Sequence, residues 1–96
     1  MLQFVITGKD GTGPEALDRR MSVRPLHLDG VRKLKENNNY VVGGATLDKE
    51  GKMNGSIMIV QFETEEDLKQ WMNNEPYITG DVWQHIDVKP FKVADV

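Results

Sequence analysis

Apolar positions along the chain switch between a period of two and a period close to 3.6. Leu2-Gln3-Phe4-Val5-Ile6-Thr7 is a β-branched and aromatic run closed by Gly8, which predicts a first strand. Gly8 to Pro14 carries the turn residues of a loop. From Pro14 the spacing becomes helical. Leu17, Met21, Leu28, Val31 and Leu34 recur at three-, four- and seven-residue intervals and predict one apolar stripe. Pro25 lacks the backbone donor that a helix interior needs, which predicts a break there and two helical pieces. His27 then falls in the first turn of the second piece, at the edge of the stripe. Asn37-Asn38-Asn39 ends the pattern.

Tyr40 to Ala45 reads as a second strand and Ser56 to Phe62 as a third, joined through a turn at Asp48-Lys49-Glu50-Gly51. Thr64 is placed to cap a short helix, with Glu65, Glu66 and Asp67 in its first turn and Leu68, Trp71 and Met72 on its buried face. Asn73 to Pro76 stops that helix. A last strand is expected from about Asp81 to Phe91, with Val82, Ile86 and Val88 on one face and Trp83, His85 and Asp87 on the other. The predicted order is β-α-β-β-α-β: a single α+β domain over residues 1–96, ferredoxin-like, with a four-stranded antiparallel sheet.

Two of the strands do not alternate. Phe4-Val5-Ile6 and Ile57-Met58-Ile59-Val60 are apolar on both faces, although the helices can cover only one. A chain of 96 residues has nothing left to cover the other face. A second copy of the sheet would, so a homodimer with a ligand-binding cleft is the expectation.

Composition narrows the function. The formal charge is −3, and no basic block interleaves with aromatics, which argues against a nucleic-acid or membrane partner. There is no cysteine, so disulfides, thiolate metal ligands and a cysteine nucleophile are excluded. The opening apolar run is too short for a span and lacks the flanks of a leader, and the expected location is cytoplasmic.

Arg24-Pro25-Leu26-His27 is the stretch with the most chemistry, and it holds one of only two histidines. A free histidine has a pKa of roughly 6.5 and can both take and give a proton near neutrality. Arg20 and Arg24 lie one or two helical turns upstream. They could hold an anionic substrate in bidentate fashion, or equally form salt bridges with some of the many carboxylates. His85 is read as a structural residue of the last strand. With two histidines far apart and no cysteine, no metal site is expected, and no cofactor.

Taken together, Gly8-Lys9-Asp10, Arg24-Pro25-Leu26-His27, Gly43-Gly44-Ala45, Gly55-Ser56, Glu75-Pro76-Tyr77 and Val88-Lys89-Pro90-Phe91 give the chain a specific look. In order and spacing, it resembles the YciI-like (YCII-related) family of small dimeric α+β-barrel proteins over nearly its full length. The resemblance implies a ferredoxin-like protomer, a dimer cleft and a site built on a histidine and a carboxylate. His27 matches the family histidine. Glu75 stands where the family usually has an Asp before a Pro-Tyr pair, which keeps the charge and adds a methylene. Ser56 and Tyr77 are further candidates for substrate contact at the cleft. The chemistry implied is acid–base work on small, often aromatic or quinoid molecules, including dehydrochlorination of chlorinated hydroxyquinols. A lyase or isomerase is the first expectation, and a non-catalytic small-molecule-binding or accessory module of the same fold is the alternative.

Overall fold

A computed structural model describes all residues from Met1 to Val96. The element order is β1 (Leu2–Asp10), α1 (Ala16–Glu36), β2 (Tyr40–Leu47), β3 (Met53–Phe62), α2 (Glu65–Asn73), α3 (Pro76–Thr79) and β4 (Trp83–Phe91). The four strands form one antiparallel sheet in the order β2-β3-β1-β4, the ferredoxin-like topology. No helix is long and apolar enough to cross a membrane.

Side-chain alternation sets which face the helices cover. On β1, Phe4, Ile6 and Gly8 are buried, and they pair in register with Val60, Met58 and Ser56 of β3, also buried. Phe4, Ile6, Met58 and Val60 meet Leu34 of α1, Leu68 of α2 and Tyr77 of α3 in the core. The alternate set, Val5 with Ile59 and Thr7 with Ile57, lies on the opposite face, where no helix packs. Ile57 there is 44% exposed and Val42 of β2 is 55% exposed.

Pro25 does not break α1. One helix of 21 residues runs through it. Proline costs the helix its bond to the Met21 carbonyl, but Pro25 is exposed, on the side of α1 away from the sheet, where water can satisfy that carbonyl. The stripe that faces the core also differs from the one predicted. The buried positions of α1 are Arg20, His27 and Leu34, seven residues apart, while Met21 is 47% exposed. Leu17, Met21 and Leu28 line the flank of the helix instead of its centre, because polar side chains occupy the centre. Asn38, with φ 61°, ends α1 in a Schellman turn: its N–H donates to Lys35 O, and the Asn39 N–H donates to Leu34 O.

The N-cap at Thr64 forms as expected, its hydroxyl oxygen accepting from the Asp67 N–H at 3.1 Å. Other boundaries differ. β1 continues through Gly8 to Asp10, β2 runs on to Leu47, β3 begins at Met53, and a one-turn helix, α3, is added after Glu75. The last strand carries the largest local difference. A register shift between Lys9 and Asp10 brings Asp10 opposite Trp83 while Lys9 stays opposite His85. This irregularity rotates Trp83 onto the helix-covered face, where it is 4% exposed, and leaves His85 on the opposite, exposed face. Gly8 makes room for the indole: a Cβ at that position would lie 2.3 Å from Trp83 Cδ2.

Candidate active site

Sequence-distant residues converge between α1, α3 and the β1–β3 sheet. His27 faces inward from the middle of α1 and is 8% exposed, and Glu75 is 3% exposed. The Glu75 carboxylate has two jobs. Its Oε1 accepts the Tyr77 N–H at 3.2 Å, capping α3, whose Pro76 needs no partner at the first helical position. The same carboxylate takes His27 Nδ1 through Oε1 in a short contact, and through Oε2 at 3.1 Å. A carboxylate accepts, so Nδ1 carries a proton, and in the neutral imidazole that tautomer leaves the lone pair on Nε2. Both ring contacts are at Nδ1, which leaves Nε2 as the nitrogen open to a ligand.

Aromatic rings lock the imidazole in place. Tyr77 stacks on His27 with centroids 3.9 Å apart and ring planes at 13°. Trp83 sits edge-on to both, at 6.2 Å from His27 and 5.6 Å from Tyr77.

Beside this stack lies a second buried network. Arg20 Nη1 donates to both carboxylate oxygens of Asp10, at 3.0 and 3.2 Å, and the two side chains are each 3% exposed. Arg20 Nη2 donates to Ser56 Oγ at 2.8 Å, and Trp83 Nε1 donates to the same oxygen at 3.2 Å. The Arg20 guanidinium carbon lies 4.6 Å from the Tyr77 ring centroid. Burial raises the Asp10 pKa more than the facing Arg20 lowers it. Burial also raises the Tyr77 phenol, against the opposing pull of Arg20 and Arg24.

Arg20, Arg24, His27, Ser56 and Tyr77 all line one small cleft of about 90 Å³, closed by Gly43, Gly44 and Ala45 of β2. The structure therefore brings together all six residues singled out in the sequence, Glu75 through its bond to His27. It divides the arginines. Arg20 is engaged with Asp10, whereas Arg24 enters no ion pair with any residue of the chain. Asp10 and Trp83 were not among the sequence candidates. For Asp10 the signal was present: it shares the parity of Phe4, Ile6 and Gly8 once the strand is extended past its glycine. For Trp83 there was none, because the irregularity that turns it inward leaves no mark in the alternation. No group of three or more histidine, cysteine, aspartate or glutamate side chains has the geometry to hold a metal ion.

The topology and this cleft define a small α+β protein of the ferredoxin-like class with a buried histidine–carboxylate pair beside a small cleft. The chain belongs to the YCII-related domain family, whose pattern matches residues 2–92. It is 32% identical over 93% of its length to "Protein YciI" of Escherichia coli O6:H1, covering 95% of that protein. It is 33% identical to an uncharacterised protein of Haemophilus influenzae, with 95% of this chain and 97% of that one covered. Among solved structures it is similar to 5-chloro-2-hydroxyhydroquinone dehydrochlorinase from Burkholderia phenoliruptrix in complex with 2,5-dihydroxybenzoquinone. That likeness has a TM-score of 0.81 and 26% identity, and spans 96% of this chain and 95% of the other. A dimeric ferredoxin-like protein from Jannaschia sp. shares the fold alone, at a TM-score of 0.56 and 15% identity.

Proposed function

We propose that this protein is a small acid–base enzyme, a lyase or isomerase, acting on a hydroxylated aromatic or quinoid ring in the cleft beside His27. The observation that carries the reading is the His27–Glu75 pair. A buried carboxylate fixes the tautomer at Nδ1 and leaves Nε2 as a base on the cleft side, the arrangement that general acid–base catalysis requires. The similarity to a dehydrochlorinase supports a chlorinated hydroxyquinol as the substrate type. In such a reaction Nε2 takes a proton from a ring O–H and returns it to the ring carbon bearing chlorine. Loss of a second O–H proton then expels chloride. The net change is loss of HCl, and the electrons balance without an outside oxidant.

The working unit in this proposal is a homodimer, since the open sheet face carries Val5, Val42, Ile57 and Ile59 with no covering element. The reading is tested by screening quinols, lactones and chlorinated phenolics for turnover with wild type and His27→Ala. Turnover by wild type that His27→Ala lacks supports it. Ring binding without any turnover across the panel would instead favour a binding module.

A further inference from the structure

Two buried polar atoms in this cleft have no partner in the chain: the Tyr77 hydroxyl and Arg20 Nε. Tyr77 is 1% exposed and Arg20 is 2% exposed, so bulk water does not satisfy them. Leaving a buried hydroxyl unbonded is costly to a fold, and such groups in native structures call for a reason. A third group is half-satisfied. Ser56 Oγ accepts from both Arg20 and Trp83, so both its acceptor positions are used and its own hydrogen is left to donate. The fourth is Arg24, half-buried on the cleft wall with no carboxylate beside it. All four side chains belong to residues that line the small cleft of about 90 Å³.

We infer that the cleft binds its ring ligand as the mono-anion, with Arg24 opposite the ionised oxygen and the Tyr77 and Ser56 hydroxyls donating to ligand oxygens. The inference rests on the reading of a hydroxylated ring beside His27 and adds the ligand's charge state and the groups that recognise it. Charge bookkeeping supports it. Arg20 and Arg24 balance Asp10 and Glu75, so the empty site is formally neutral. A phenol that passes its proton to His27 Nε2 keeps that sum unchanged and places an anion against Arg24 and a cation against Glu75. Burial raises the Tyr77 pKa and so keeps its hydroxyl a donor at neutral pH.

The test uses 4-nitrophenol, whose anion and neutral forms absorb differently in the visible range, and its uncharged ether 4-nitroanisole. Wild-type protein, titrated at a pH just below the pKa of free 4-nitrophenol, should increase the anion band. Tyr77→Phe should weaken binding of the phenol about tenfold, the size of one hydrogen bond to a charged oxygen. Arg24→Gln should abolish the growth of the anion band, and 4-nitroanisole should bind more weakly than the phenol. Because the Tyr77 hydroxyl is unpartnered, ligand-free Tyr77→Phe should melt no lower than wild type, so lost affinity would not reflect unfolding. A bound phenol with the neutral spectrum, or variants that bind like wild type, overturns the inference. Equal binding of ether and phenol overturns it while leaving a ring cleft in place. If neither probe binds, the hydroxylated-ring reading of the cleft fails along with it.

Discussion

Glu75 Oε1 accepts the Tyr77 N–H and meets His27 Nδ1 with the same atom, so the residue that starts α3 also orients the imidazole. Folding and chemistry therefore share one carboxylate. Glu75→Gln keeps the size and the capping oxygen but removes the charge, and its amide can present a donor to Nδ1. The expected result is a change in the His27 tautomer population, read from imidazole ¹⁵N shifts, with a loss of stability smaller than that of Glu75→Ala. Glu75→Ala should cost about 1–3 kcal/mol, since it removes a cap and leaves buried donors unpaired. Identical ¹⁵N spectra for wild type and Glu75→Gln would show that the pair does not set the tautomer.

Gly8 is required by packing. Its alanine variant would drive a methyl group into the Trp83 indole, whose ring atoms lie 2.3–2.5 Å from the ideal Cβ position. Gly8→Ala should lower the denaturant midpoint by the equivalent of about 1–3 kcal/mol and shift Trp83 fluorescence as the indole leaves Ser56. Unchanged stability and emission would mean that Trp83 has room to move.

Ile59 tests the open face. Of the neighbouring pair Met58 and Ile59, Met58 is buried beneath the helices at 2% exposure, and Ile59 points to the uncovered side. Sedimentation should show a dimer for wild type and a folded monomer for Ile59→Lys, whereas Met58→Lys should fail to fold. A wild-type monomer at micromolar concentration contradicts the homodimer.

The Asp10–Arg20 pair makes a signed prediction about pH. The Asp10 pKa in the folded protein lies above its ordinary 3.8, with burial the leading cause. The folded state then holds that proton more tightly than the unfolded chain does. The stability contributed is fully present below the ordinary value and is lost as pH rises through the folded one. The stability of wild type minus that of Asp10→Asn should therefore fall as pH is raised from about 4. A difference that grows with pH over that range would mean that Arg20, not burial, dominates.

The sheet was legible in the chain because β-branched runs mark strands whichever way they face. The centre of α1 was less so. Apolar periodicity marks a stripe by its leucines, and here the buried stripe is led by Arg20 and His27, so the periodicity points to Leu17, Met21 and Leu28 at its flank. Pro25 looks like a break in the sequence because its position around the helix, away from the sheet, follows only from knowing which face is buried. The motifs around His27 and Glu75 carried the pair through family resemblance. Spacing alone could not, with the two residues 48 positions apart. Asp10 follows from the alternation only once β1 is carried past Gly8, and Trp83 depends on a register shift that composition does not reveal.

The most direct measurement of the central claim is chloride release from 5-chloro-2-hydroxyhydroquinone by wild type, His27→Ala and His85→Ala. A positioned general base supplies about 10²–10⁴-fold, so His27→Ala should lose that factor in kcat with binding largely kept. His85→Ala, altered on the exposed opposite face, should turn over like wild type. Equal rates for wild type and His27→Ala on a substrate that wild type demonstrably converts would contradict the assignment of His27 as the base.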